Sequence, residues 1–182
     1  MAQTGQTITN KVTGDRLTWL QTSTSTNGKR VQFELQVQPG GKMPVRHLHL
    51  RQSENFSVRK GTFKVECSGQ ITNLKSGESF TVQPQLPHQW FNESSTEIAE
   101  VIITMEPAEK FETLMEQIYG ISNHRGSFNF LQVMVMAKEY DMVVAGPPLF
   151  IQKIMRTILA PVGRLLGYKK YYPEYSASVE AT

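Results

Sequence analysis

The residues of this chain best suited to chemistry are three of its four histidines and one glutamate. His47 and His49 lie one residue apart in VRHLHLR, Glu54 follows closely, and His88 comes later in PHQWFN. On a strand, both imidazoles of the H-x-H pair point to one face and the neighbouring leucines to the other. Two imidazoles on an inward face are costly unless a partner such as a divalent metal ion takes their lone pairs. An H-x-H pair alone is more often a surface feature, so its spacing leaves both interpretations open.

The stretch from Gly41 to Gly61 resembles the first conserved motif of the cupin family. GKMPVRHLHLRQSENFSVRKG matches every fixed position of the pattern G-x5-H-x-H-x4-E-x6-G. Five fixed positions over such a short stretch rarely coincide, which makes the resemblance specific. It extends over residues 28 to 105.

A second stretch, GESFTVQPQLPHQWFN, is similar to the second cupin motif, G-x5-P-x-G-x2-H-x3-N. Gly77, His88 and Asn92 match, whereas the proline and glycine positions of the motif hold Gln83 and Gln85. This departure concerns the loop before His88, and not the histidine itself.

The resemblance implies a small jelly-roll β-barrel whose metal ligands are His47, His49, Glu54 and His88. Three imidazoles and one carboxylate suit iron, manganese, nickel, copper or zinc as the divalent ion. Such a set leaves positions of a six-coordinate ion open to substrate. For oxygenase members the resemblance also implies that Glu54 leaves the metal and acts as a general base.

Several large apolar residues are candidates for the wall of a pocket beside the metal. Trp90 shares strand parity with His88 and is expected to project into the same cavity. The other candidates, each of which equally suits the plain hydrophobic core, are Phe33, Phe56, Phe63 and Met105.

The first hundred residues have the pattern of short strands. Apolar and polar residues alternate in KRVQFELQVQ, in TFKVEC, which holds the single cysteine, Cys67, and in SFTVQ; the apolar run AEVIITM follows. This alternation predicts one buried and one wet face per strand, with Cys67 packed inside. Asn27-Gly28 predicts a tight hairpin turn between TWLQTSTST and KRVQFELQVQ. Many short strands with such turns indicate a sandwich or barrel.

After Glu106 the apolar residues change to helical spacing. One helix is predicted between Pro107 and Gly120, then a loop, ISNHRGS, with an exposed His124, and a second helix, NFLQVMVMAKEYDMV. The third, LFIQKIMRTILAPVGRLLG, is expected to be kinked at Pro161, and the chain from YYPEYS onward to be irregular. We therefore expect a mainly β fold, a double-stranded β-helix (cupin jelly roll) over residues 1–106. A helical extension over 107–182 packs on the barrel or on a dimer partner.

The third helix carries a broad apolar stripe with cations among its aliphatic residues. It could lie on an anionic membrane surface, but packing across the barrel mouth, as a lid, or against a second subunit is the commoner fate of such a stripe. The family resemblance also implies a homodimer formed through edge strands.

Composition excludes several classes of protein. With 39% hydrophobic and 19% charged residues, the 182-residue chain is neither disordered nor fibrous. A single cysteine excludes an internal disulfide and a multi-cysteine zinc site, and no segment has the pattern of a signal peptide or a membrane span, so we expect a cytoplasmic protein. The net charge of +3 resides in scattered cations of residues 146–182, which does not favour nucleic-acid binding.

Two functions are compatible with these observations. The first is a metal-dependent enzyme, an oxygenase or less favourably an isomerase, that acts on a small organic molecule. The second is a non-catalytic cupin in which the barrel binds or senses a small molecule and the helices carry the output.

Overall fold

A computed structural model describes residues 2–126, 129–137 and 139–176. Within them the chain forms eleven strands and three α-helices. The strands are β1 (Thr7–Thr9), β2 (Arg16–Gln21), β3 (Val31–Val37), β4 (His47–His49), β5 (Ser53–Lys60), β6 (Thr62–Cys67), β7 (Gln70–Lys75), β8 (Ser79–Val82), β9 (His88–Phe91), β10 (Ala99–Glu106) and β11 (Met142–Val144). The helices are α1 (Phe111–Arg125), α2 (Phe130–Met136) and α3 (Leu149–Leu165), followed by a 3-10 turn (Pro173–Tyr175).

The strands form two antiparallel sheets. One has the order β1-β2-β3-β10-β5-β8 and the other the order β11-β4-β9-β6-β7. The inner faces of both sheets contribute to one hydrophobic core, as expected for two packed sheets. The fold is therefore mainly β, a jelly-roll-like barrel followed by helices, which confirms the predicted class.

Alternation in the sequence predicts correctly which face of each strand is buried. In β3, Phe33, Leu35 and Val37 are buried while the glutamine and glutamate side chains between them are partly exposed. β6 repeats the pattern, so Cys67 is a buried free cysteine, as predicted. The largest buried side chains, Trp19 and Phe33 among them, belong to this core, and their rings meet edge to face at 5.5 Å.

The hairpin around Asn27-Gly28 is longer than predicted. β2 and β3 pair as expected, but β2 already ends at Gln21. Asn27 and Gly28 adopt positive φ angles, 52° and 76°, within a longer loop. Hydroxyl groups there bond the backbone, for example Ser25 Oγ to Thr22 O at 3.0 Å, and these local bonds compete with strand pairing.

The first helix extends further than its predicted end. Pro107 lies before α1, and Gly120 lies inside it; the helix ends at Arg125 and is capped by Gly126, which has a φ of 74°. His124 is exposed as predicted but lies in the last turn of the helix and not in a loop. A Cβ on Gly120 would overlap the ring of Tyr175, so this glycine serves close packing of the tail.

The second predicted helix, residues 129–143, is only half correct. Asn129 Oδ1 accepts a hydrogen bond from Gln132 N at 2.9 Å and caps α2, which ends at Met136. Met142–Val144 instead forms β11, antiparallel to β4. Valines favour extended backbone, and the edge of β4 offers unpaired backbone groups that a helix would leave unused.

The third helix forms where it was predicted, with Pro161 inside it, while the kink at Pro161 stays a prediction. Its apolar stripe does not pack across the barrel mouth. Phe150, Ile158 and Leu165 are exposed to 65%, 61% and 88%. The helix that packs on the barrel is α1, whose Phe111 stacks on Phe33 at 5.5 Å. In the described part of the chain no helix is long and apolar enough to cross a membrane.

The chain after α3 is largely irregular, as predicted, up to Ser176. Tyr172 is nevertheless buried, and its hydroxyl donates to Gln132 Oε1 at 2.8 Å. Residues 177–182, for which the same prediction was made, lie outside the described residues.

Candidate metal centre

Both sheets contribute side chains to the predicted metal site. His47 and His49 lie on the inward face of β4, and His88, the first residue of β9, is the register partner of His47. Glu54 lies on β5 in the opposite sheet. All four side chains are buried, and one potential ligand atom from each lies within 4.8 Å of the others.

Backbone carbonyl groups fix the tautomers of two histidines. His47 Nδ1 lies 3.1 Å from Val45 O, and His88 Nδ1 lies 2.9 Å from Leu86 O. Because a carbonyl oxygen only accepts, both Nδ1 atoms carry the proton in these bonds. Nε2 is then the nitrogen available as a ligand, an arrangement typical of metal-binding histidines.

The third imidazole has no such partner. Neither ring nitrogen of His49 makes a hydrogen bond to any described residue, and Nε2 lies 3.5 Å from Glu54 Oε2. Leaving a buried polar group unpaired costs about 1–3 kcal/mol. A metal ion among the four side chains would take this lone pair, so the donor set fits a divalent ion.

Burial and mutual charge set the protonation of the cluster. Burial, and then the neighbouring His88, lower the pKa of His47 to about 3. Burial tends to raise the pKa of Glu54, but the nearby imidazoles of His49 and His88 outweigh it and hold that pKa below its usual range. His47 is therefore neutral and Glu54 ionised at neutral pH, the states that metal coordination requires.

His88 has the opposite shift. Burial tends to lower its pKa, but the bond from Nε2 to Glu54 Oε2, 2.7 Å long, and the glutamate charge raise it. In the metal-free protein this short bond needs a proton between the two groups, and a metal ion would replace that proton.

The predicted wall residues are all buried, and three of them form a connected aromatic group. The ring centroid of Phe56 lies 6.5 Å from that of His88 and 5.7 Å from that of Phe63. The ring of Phe63 in turn stacks on Trp90, with centroids 5.4 Å apart. Trp90 shares the inward face of β9 with His88, as predicted.

The other two wall candidates lie on neighbouring strands. Met105 is the register partner of Glu54, and Phe33 lies against Phe111. The role of these five residues in binding a ligand stays a prediction.

Sequence reasoning missed two contributors near the site. Phe111 on α1 lies 6.2 Å from the ring of His49, and nothing in its helical spacing indicates that position. β11 covers the free edge of the ligand strand, with Met142 opposite His49 and Val144 opposite His47. Both positions depend on contacts between distant parts of the chain, so the local sequence pattern does not reveal them.

One buried carboxylate, that of Asp141 directly before β11, fixes this part of the chain to the loop after β4. Asp141 accepts hydrogen bonds from the backbone nitrogens of Arg51 and Gln52, at 2.9 and 3.1 Å. Gln52 in turn donates from Nε2 to Pro107 O at 2.8 Å. These bonds hold the segment between His49 and Glu54 against the start of the helical extension.

Comparison with known proteins finds similarity within the barrel. A family model described as a cupin domain matches residues 33–105. A probable oxidoreductase of Aspergillus niger, yanE, is 27% identical over 160 residues, 78% of this chain. The match covers 62% of that protein, so this chain spans less than two thirds of the relative's length.

Solved structures with a similar fold include an RmlC-like cupin from Shewanella frigidimarina. It is 23% identical with a TM-score of 0.48, and the match covers 57% of this chain and 86% of that one. A sugar phosphate isomerase of the cupin superfamily from Silicibacter pomeroyi is 17% identical with a TM-score of 0.47, covering 55% and 64%.

Proposed function

We propose that the protein is a metal-dependent enzyme acting on a small organic molecule, because residues 33–105 match a cupin-domain family model and form a jelly-roll-like barrel. The proposed reaction class is oxidation, by an oxygenase, with isomerisation the less favoured reaction. One observation carries the proposal: three buried imidazoles and one buried carboxylate meet within 4.8 Å, and one imidazole has no partner in the described protein. The name of the Aspergillus niger relative, a probable oxidoreductase, supports the same class.

The proposed ligands are His47, His49, His88 and Glu54. A divalent ion held by them would supply Lewis-acid or redox chemistry, with positions left open for a substrate. Nitrogen and oxygen donors of this kind suit iron, manganese, nickel, copper or zinc. The carbonyl bonds to His47 and His88 hold these rings in place, which lowers the cost of ordering them.

Glu54 is the proposed general base. Its carboxylate is ionised, and its side chain is only 5% exposed, so little water competes for it. A substrate hydroxyl within hydrogen-bond reach would transfer its proton to this group. The aromatic side chains of Phe56, beside His88, and Phe111, beside His49, would exclude water from the site and orient a flat organic molecule.

Oxygen consumption tests this proposal. Iron(II)-loaded protein is mixed with candidate enediols or flavonoids, and dioxygen uptake is followed with and without each compound. We expect uptake that depends on the compound, and a rate roughly 100-fold lower for Glu54→Gln, the usual contribution of a general base. Glu97→Gln, which changes an exposed glutamate, is the matched control and should keep the wild-type rate.

Failure of every divalent metal to support turnover, together with tight binding of one of these compounds, would overturn the enzyme proposal. That result would assign the barrel to the alternative, a non-catalytic module that binds or senses a small molecule. The homodimer and the cytoplasmic location stay predictions.

A further inference from the structure

One side of α3 is a row of large apolar side chains without a partner in the described chain. Phe150, Ile154, Ile158 and Leu165 follow at spacings of four, four and seven residues, which places them on one face of a helix. They are exposed to between 56% and 88%. We call these four residues the apolar face of α3.

The opposite side of α3 contacts the protein through small residues. Ala160 and Gly163 are buried, and a Cβ on Gly163 would lie 2.7 Å from Val135 Cγ2 on α2. The helix thus meets its own chain with its smallest side chains and turns its largest outward. This reverses the usual orientation of a surface helix, and such an exposed face marks an interaction site.

The segment of the chain that carries this face has charges of one sign. Between Asp141 and Glu174 the sequence contains no acidic residue but five basic ones: Lys153, Arg156, Arg164, Lys169 and Lys170. The three on α3 line a cleft between α2 and α3. No ion pair joins any of these three to a carboxylate of the described residues, so their charges are available to an anionic partner.

We propose that α3 docks on an anionic lipid bilayer and lies in the plane of its surface. Its apolar face would enter the boundary between head groups and acyl chains, with Lys153 and Arg164 at the phosphates on its flank. At about 25 Å long and with three cations, α3 is too short and too charged to span a hydrocarbon core of about 30 Å. A surface position satisfies both the apolar residues and the charges.

A second copy of the chain suits this face less well. Closed dimers pair identical patches across a two-fold axis. The cations of one α3 would then face the same cations of the other α3 and repel them, because residues 142–173 contain no carboxylate to neutralise the charge. Anionic lipid supplies the missing negative charge.

Docking would also place the proposed metal site of the barrel near the membrane. α3 begins five residues after Val144, the register partner of His47. Gln152 Nε2 donates to Val144 O at 2.9 Å and to Pro147 O at 2.7 Å, which ties the first turn of α3 to β11.

Vesicle co-sedimentation of the full chain tests the proposal. Vesicles of phosphatidylcholine, with and without phosphatidylglycerol, are used at low and at raised salt. We expect binding to the phosphatidylglycerol vesicles that weakens with salt. Lys153→Gln with Arg164→Gln should weaken it roughly 30-fold, and Ile154→Gln with Ile158→Gln at least as much.

Matched controls change the same residue types elsewhere. Ile71→Gln alters an isoleucine on β7 that is as exposed as Ile158, and Lys11→Gln with Lys29→Gln removes two exposed cations of the barrel. Both should bind like the wild type. All changed side chains are exposed, so unaltered melting temperatures are expected and show that the variants are folded.

Three results would overturn the proposal. One is wild-type protein that binds neither kind of vesicle. Another is equal binding by the α3 variants and the controls. The third is wild-type protein that binds no vesicles and sediments as a dimer, while the Ile154→Gln, Ile158→Gln variant sediments as a monomer. This result would assign the apolar face of α3 to a second copy of the chain.

Discussion

The three buried histidines differ in what their ring nitrogens bond. His47 and His88 each donate from Nδ1 to a carbonyl two residues earlier in the chain, whereas His49 has no hydrogen-bond partner in the described structure. The H-x-H spacing predicts that two rings share a face, and the cupin resemblance supplies the other two ligands. Neither predicts the tautomers, because these depend on loop carbonyls whose position follows from the folded backbone.

This difference predicts opposite effects of two leucine substitutions in metal-free protein. His49→Leu removes an unpaired buried polar group, so the free energy of unfolding should rise by about 1 kcal/mol. His88→Leu leaves the buried Glu54 without its 2.7 Å partner, and the free energy of unfolding should fall by about 3 kcal/mol. Urea denaturation with a chelator present measures both. Equal losses in the two variants would contradict the hydrogen-bond assignment.

At the scale of elements, short segments hold the site through long-range bonds. β4 has only three residues, yet β9 flanks it on one side and β11 on the other. Alternating patterns predict β3 and β6 well because burial of one face shows directly in the sequence. They do not predict β11, whose extended form depends on pairing with a strand some ninety residues earlier. The hairpin loop after Gln21 is missed for a related reason, since hydroxyl side chains there bond the loop backbone.

The hydrogen bonds of Asn92, the last matched position of the second motif, indicate that this residue stabilises the fold. Its Nδ2 donates to Val37 O, Gln38 O and Glu97 O at 2.8 to 3.1 Å, and its Oδ1 accepts from Ser94 N. Asn92→Ala should lower the free energy of unfolding by at least about 2 kcal/mol, because it leaves several of these groups unpaired.

The control for this prediction is Asn73→Ala, which changes an exposed asparagine on β7 and should stay within about 0.5 kcal/mol of the wild type. Metal content should be unchanged in both variants, since neither side chain belongs to the ligand set. Loss of metal at full stability in Asn92→Ala would show instead that this residue serves the site.

At the scale of the whole molecule, the net charge is concentrated in the last segment of the chain, because basic and acidic residues balance over residues 1–145. Residues 146–182 account for the whole net charge of +3. The sequence predicts an amphipathic third helix, but not which face turns outward. Periodicity shows that a face is apolar, whereas burial of Ala160 and Gly163 against α2 decides that the apolar side is left exposed. The extension contacts the barrel through Phe111 of α1 and through β11, which pairs with β4, and not through the apolar face of α3.

The central claim is that His47, His49, Glu54 and His88 together hold one metal ion. Elemental analysis of protein purified without added metal, and of the same protein after exposure to iron, manganese, nickel, copper or zinc, tests it most directly. We expect about one ion per chain in the wild type and in His124→Ala, whose histidine is exposed and lies outside the cluster. The double variant His47→Ala, His49→Ala should hold none. Wild-type metal content in the double variant, or wild-type protein that takes up none of these metals, would contradict the account.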